Sequence, residues 1–317
     1  MNLKKTLVVN IITCLIIFFF FEITFFFKGK QAENAVHSKF INIPKNITYN
    51  ELIQINDENI DLNDFPQGQY NSGKNFTNNN NSIILIGCSF SYSWGLKYKD
   101  TFAYQLSQKT KRPVYIRSRA GSGPNESLLI LSNEKFYSSN EEPEYIIYLF
   151  IENHFSRMFS RIYSIQDNKL RPLWNIDKNF NAKQVICWYK PLFLSHIFKY
   201  IYREKVTLNY GIVDEEQYFK TMMAMKKEIN KNWQNTKFVI IRYSEPNMEK
   251  PYSFSPDITK KFIENNIILI DADELIFGKT GKRLIGDKYM QEDQHPSALA
   301  FDLLTTALSK EINQKKI

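Results

Sequence analysis

The chain has 317 residues and a formal net charge of +8, with 43% apolar and 15% aromatic residues. That apolar content excludes global disorder, and the length suffices for one large α/β domain or two small ones. Lys and Arg are scattered, without a basic block, zinc-finger spacing or RNA-binding signature, so no nucleic-acid partner is expected. The charge reads first as surface solvation and second as attraction to anionic lipid or polysaccharide.

Lys4 and Lys5 precede the apolar run Thr6 to Phe27. These 22 residues would span about 33 Å as a helix, against a hydrocarbon core of about 30 Å. A cleaved signal has an apolar region of about 7–15 residues ending at small side chains. This run is longer and ends in Phe25, Phe26 and Phe27. Residues 1–30 therefore read as an uncleaved signal-anchor, a transmembrane helix with its N-terminus inside. The domain behind it is expected at the outer face of the cytoplasmic membrane, periplasmic or on the cell surface. Cys14 is no lipoprotein site, because the apolar run continues past it.

Residues 31–82 are polar, and "NSGKNFTNNNNS" from Asn71 to Ser82 reads as a loop. Beyond it, apolar strands alternate with helical patterns. The strands are expected at 83–87, 114–118, 145–150, 237–242 and 267–271. The helices are expected near 100–109, 124–136, 214–231, 256–264 and 297–311. Short, nearly continuous apolar strands between helices imply an α/β domain over 83–317, a doubly wound parallel sheet covered on both faces. Ligands of such sheets bind beyond the carboxyl ends of the strands. The rhythm breaks at about 156–212, where Val185 to Tyr202 is rich in aromatic residues. That stretch reads as a core helix, a lid, or a surface lying on the bilayer.

Ser89 lies two residues past Gly87, where the first strand should end. Far along the chain, "EDQHPSALAFDLL" places His295 just before a helical pattern. Asp293, or Glu292, is close enough in sequence to hold the imidazole's tautomer. "RAGSGPNES" has two glycines, Gly121 and Gly123, where the second strand turns into a helix, so backbone N–H groups there could approach a substrate oxygen. "FIENHFSR" ends the third strand with the amide of Asn153 and the imidazole of His154. All four polar patches fall at the same edge of the expected sheet. The three cysteines include no CxxC pair, which excludes a disulfide framework. A bridge between Cys88 and Cys187 would crowd Ser89.

At these residues the sequence resembles the SGNH hydrolases, the GDSL esterase/lipase superfamily, in four short ordered blocks. "GCSFSYSWGL" is similar to the first, "AGSGPNES" to the second, "IENH" to the third and "DQHP" to the last. The resemblance implies a flavodoxin-like three-layer α/β/α fold. Ser89 would be the nucleophile, His295 the base and Asp293 its partner. Gly121 and Asn153 would be oxyanion donors, with Glu292 and His154 as further candidates. It implies neither cofactor nor metal. Cys88 stands where the family usually has Asp, and Ile151 and His154 replace the Gly and Asp of the third block.

Other motifs fail. Gly87 to Ser91 lacks the last glycine of G-x-S-x-G. "DELIFGKT", Asp273 to Thr280, places an acid where a phosphate-binding loop begins with glycine, and reads as a surface loop. Two functions remain open at this point. One is a membrane-anchored ester hydrolase or acyltransferase, acting on an ester-bearing glycan or lipid of the cell envelope. The other is an idle domain of the same fold that binds glycan or protein. A third, weaker reading is a structural membrane protein whose aromatic stretch contacts other subunits.

Overall fold

The computed structural model describes residues 20, 71–72, 81–118, 121–138, 142–159, 162–164, 169–170, 172, 174–184, 213–246 and 252–317. The expected span 6–27, apart from Phe20, lies outside them. So do the aromatic stretch 185–202, Cys14 and Cys187. Among the described residues no helix is long and apolar enough to cross a membrane.

The chain divides into two compact units. The larger, Pro44–Arg161, Arg171–Val185 and Gly211–Ile317, is built on one sheet. Its strands are β1 (Asn71–Ser72), β2 (Ile83–Gly87), β3 (Val114–Ser118), β4 (Tyr145–Phe150), β5 (Lys237–Arg242) and β6 (Ile268–Asp271). The spatial order is β1-β3-β2-β4-β5-β6. β1 pairs antiparallel with β3, and every other pairing is parallel. The parallel strands thus run second, first, third, fourth, fifth, the flavodoxin-like order. Four of the five expected parallel strands match the sequence reading residue for residue, and the fifth begins one residue later.

The helices are α1 (Ser89–Tyr92), α2 (Phe102–Thr110), α3 (Pro124–Leu131), α4 (Glu134–Ser138), α5 (Asn153–Phe159), α6 (Glu215–Asn232), α7 (Pro256–Glu264), α8 (Ala272–Phe277) and α9 (Ala298–Asn313). Along β2, Ile83 and Leu85 face one core with Phe102 and Leu106 of α2 and Phe301, Leu304 and Leu308 of α9. Ile84 and Ile86 face the other, with Leu128 of α3, Met222 and Met225 of α6 and Phe262 of α7. This period-two split explains why the strand is apolar throughout. The helix starts carry capping side chains: Thr101 accepts from the Tyr104 N–H, Asp214 from Gln217 and Ser297 from Ala300.

Three readings need correction. Asn71 and Ser72, expected in a loop, add a short edge strand, because Asn71 meets Tyr115 in the backbone ladder. The helix expected over 124–136 is two, α3 and α4. Asp273 is no surface residue. Its carboxylate is buried, accepting from the Ser244 hydroxyl at 2.6 Å and from the Leu284 N–H at 2.7 Å. Asp271 caps the helix that begins there.

The region between α5 and α6 contributes a hairpin of Trp174–Ile176 with Ala182–Gln184. Phe180 of that hairpin packs edge-on against Phe219 of α6. The smaller unit contains, among its described residues, an antiparallel pair of Ile162–Ser164 with Lys169–Leu170.

Candidate active site

β2 delivers Ser89. Gly87 closes the strand at φ 137°, a conformation that favours glycine. A Cβ on it would stand 2.4 Å from Ser91 Oγ and 3.2 Å from the Leu149 carbonyl oxygen. Ser91 uses that space to donate its hydroxyl to the Ile86 carbonyl at 3.1 Å. The chain then turns straight into the single helical turn α1, which Ser93 ends at φ 63°. Ser89 is the first residue of that turn and is only 7% exposed. Cys88, beside it, is a buried free thiol.

α9 delivers His295. Phe301 of this helix packs on Phe102 of α2, with ring centroids 5.6 Å apart. Ser297 caps its start. The preceding loop closes on itself through Ser297 N–H to the Tyr289 carbonyl at 2.9 Å and Gln291 N–H to the His295 carbonyl at 2.7 Å. His295 Nε2 thereby comes to 2.8 Å from Ser89 Oγ, across 206 residues of sequence. Phe90 lies against the imidazole, with centroids 5.5 Å apart, and limits its swing.

Asp293 Oδ2 is 3.1 Å from His295 Nδ1. The distance suits a hydrogen bond but the direction does not: Nδ1 is buried and has no aligned acceptor. Asp293 Oδ1 accepts from the His295 backbone N–H at 3.2 Å, which folds the loop tightly. A carboxylate beside Nδ1 favours the tautomer with the proton there, leaving Nε2 as an acceptor towards Ser89. Glu292 points to solvent. Of the two acids weighed for this place, Asp293 is the one that meets the imidazole.

The two other candidates flank the nucleophile's strand. Gly87 is paired with Ser118 of β3 and with Leu149 of β4. Gly121 follows β3, at φ 73°, and Asn153 follows β4 as the first residue of α5. These two segments touch, since Arg157 of α5 donates to the Ser122 carbonyl at 2.8 Å.

His154 is not part of this site. It is fully buried, its Nδ1 bonded to the Tyr148 hydroxyl at 2.7 Å and its ring packed against Tyr148 and Phe150. Successive residues of a helix point about 100° apart. With Asn153 at the strand edge, the next side chain turns into the core.

The structure adds two residues to which no motif gave a role. Glu245, just past β5, accepts from the backbone N–H of Asn153 at 3.1 Å and from its side-chain amide at 2.5 Å. Burial, and next the charge of Glu152, push the Glu245 carboxyl up to about 7. Glu152 is also raised, by burial. It accepts from the N–H groups of Glu245 at 3.1 Å and Tyr252 at 3.2 Å. Among the described residues no group of three acids, histidines or cysteines is placed to hold a metal ion.

No family model and no curated protein matches the sequence. Solved structures do resemble it. A member of the lipolytic protein G-D-S-L family from Veillonella parvula DSM 2008 aligns over 74% of this chain and 98% of its own, at 10% identity and a TM-score of 0.43. An acetyl xylan esterase from the rumen bacterium Butyrivibrio proteoclasticus aligns over 74% of this chain and 64% of its own, at 12% identity and a TM-score of 0.44. A family two carbohydrate esterase from Clostridium thermocellum aligns over the same shares, at 10% identity and a TM-score of 0.43. At this level of likeness the chemistry has to rest on the chain's own geometry.

Proposed function

We propose that this chain is a serine ester hydrolase. The observation that carries the reading is the 2.8 Å approach of His295 Nε2 to Ser89 Oγ at the carboxyl end of the first parallel strand. Ser89 Oγ attacks the acyl carbonyl carbon while its proton passes to His295 Nε2. The carbonyl oxygen becomes an oxyanion, held by the N–H groups of Ser89 and Gly121 and the amide of Asn153. As the tetrahedral species collapses, His295 returns the proton to the leaving alcohol, and Ser89 remains as its acyl ester. Water, activated by His295, then releases the acid. An acceptor hydroxyl in place of water would make the same chemistry an acyl transfer. Asp293 keeps the imidazole in the working tautomer and offsets its charge when protonated.

The proposal extends to place and substrate. The apolar run of residues 6–27 is read as a membrane anchor, with the domain outside the cytoplasmic membrane. The ester is then one of cell-envelope glycan or lipid. The resemblance of the four blocks to SGNH hydrolases supports the chemistry, and the length of the apolar run supports the anchor.

The deciding experiment is covalent labelling with a fluorophosphonate, together with hydrolysis of p-nitrophenyl acetate. The wild type should label at Ser89 and turn the ester over. Ser89→Ala should lose both, by about 10⁴-fold or more in turnover. A wild type that does neither leaves the binding-domain reading. Alkaline carbonate washing tests the anchor: the full-length chain should stay in the membrane pellet, and release of a shortened chain would overturn that part.

A further inference from the structure

Glu245 holds Asn153 by two separate groups. Its Oε2 accepts from the Asn153 backbone N–H and its Oε1 accepts from the Asn153 side-chain Nδ2. A carboxylate gripping one residue at both points fixes the plane and rotation of the amide, not merely its position. Nδ2 carries two hydrogens, and Glu245 takes one. The second is therefore aimed in a direction set by Glu245. Neither residue belongs to the Ser89–His295 pair, and nothing in the mechanism above uses Glu245.

We propose that Glu245 is the positioning residue of the oxyanion hole, aligning the Asn153 amide when ionised and releasing it when protonated. The inference rests on the reading of Asn153 as an oxyanion donor and deepens it.

The surroundings make this grip sensitive to pH. Glu245 lies past β5 and Asn153 past β4, so the contact joins the loops of neighbouring strands. From the β4 side Glu152 and Arg157 face Glu245. The negative Glu152 opposes its ionisation after burial has already done so, and the positive Arg157 favours it. From the loop after α8, Arg283 donates to the Glu245 carbonyl at 3.0 Å. Within its own segment Ser244 binds Asp273, and Arg242 pairs with Asp271. Tyr252 contributes its N–H to Glu152. The Asn153 N–H groups favour the charged form, because only a carboxylate presents acceptor lone pairs on both oxygens. A protonated Glu245 turns one oxygen into a donor, and one of the two bonds fails. The loss of alignment falls near neutral pH, where Glu245 titrates at about 7.

A double-mutant cycle on the full-length protein tests this, with Ser89 phosphonylation by a fluorophosphonate as the readout. Glu245→Gln should slow phosphonylation about 10–100-fold. Asn153→Ala should slow it about 100–1000-fold, the cost of one lost oxyanion donor. Adding Glu245→Gln to Asn153→Ala should cost nothing further, since Glu245 acts through Asn153 alone. Additive losses would mean that Glu245 supports the fold generally, and would overturn the proposal. A second measurement needs no substitution. The acid limb of the wild-type rate should include a protonation near pH 7 that belongs to Glu245. Glu245→Gln should lack it. An identical limb in both proteins overturns the proposal even if Glu245→Gln folds poorly. If wild-type Ser89 is not labelled, the esterase reading falls and takes this inference with it. A labelled wild type with an additive cycle removes this inference alone.

Discussion

A Cβ on Gly95 would stand 2.7 Å from Oε1 of Gln291. Gly95 adopts φ 79°, so it is glycine both for its backbone and for the space beside it. Gln291 needs that space to join the two loops of the site. Its Nε2 donates to the Trp94 carbonyl behind Ser89 at 2.9 Å and to the Pro296 carbonyl beside His295 at 2.9 Å. Its backbone N–H donates to the His295 carbonyl. One amide therefore ties the loop behind the nucleophile to the loop that carries its base.

Gln291→Glu replaces a shared donor by a carboxylate facing two carbonyl oxygens. Turnover on p-nitrophenyl acetate should fall about 100-fold, because a displacement of about 1 Å has that effect on positioned groups. Gln291→Ala should cost less, about 10-fold, as it only removes the tie. Full activity in both variants would mean that the two loops are held together by α9 alone.

Asp293 is expected to contribute less than a fully buried acid would. Its side chain is 37% exposed and lies off the line of the Nδ1 proton. Water competes for such a group and weakens its field. Asp293→Asn should lower kcat about 10–100-fold, while Glu292→Gln, on an exposed side chain, should leave it unchanged. The reverse order in steady-state kinetics would show that the loop rearranges when substrate binds.

The sheet was legible because its central strands are buried on both faces. An unbroken run such as Tyr145 to Phe150 has one reading in that context, and the polar residue that follows marks the working edge. The same rule would have reached Glu245. "RYSEPN" ends the strand 237–242 as "FIENHF" ends 145–150, and the polar patch after Arg242 carries as much signal as the one after Phe150. None of the four short blocks includes it. Gln291 was out of reach in a different way. Its partners are backbone carbonyls at positions 94 and 296, and a contact to a carbonyl leaves no trace in the partner's residue type. His154 misled because its neighbour Asn153 sits at the edge. Only the start of α5 at Asn153 decides which of the two turns inward.

Gly87 should be the least replaceable residue of the nucleophile's turn. Gly87→Ala combines a strained φ of 137° with a Cβ that meets Ser91 Oγ and the Leu149 carbonyl. The Ser91 hydroxyl can rotate away only by giving up Ile86, and the Leu149 carbonyl belongs to the neighbouring strand. The cost should be about 2–4 kcal/mol in denaturant unfolding, from strain and overpacking together. Adding Ser91→Ala to Gly87→Ala removes the nearer clash and should recover part of that loss. No recovery would place the whole cost in the backbone angle.

The Glu245 clamp has a consequence for stability opposite to its consequence for activity. In the unfolded chain the carboxyl titrates at the ordinary 4.5, and in the fold it rises to about 7. A raised folded value means that the native state holds this proton more tightly than the unfolded state does. The associated stability is complete below 4.5 and is lost as the pH rises to about 7, where the buried group ionises. That rise corresponds to about 3 kcal/mol. Glutamine cannot ionise, so Glu245→Gln removes that pH dependence. Its stability relative to wild type should therefore be higher at pH 8 than at pH 4.5, by up to about 3 kcal/mol in urea unfolding. Glu152 is present in both proteins, and its repulsion of an ionised Glu245 is part of the difference measured. A relative stability that does not change between the two pH values would mean that Arg157 and the Asn153 N–H groups already compensate the charge fully. The expected outcome is a variant that is firmer at pH 8 and slower at its chemistry, because the charge that strains the fold is the one that aims Asn153.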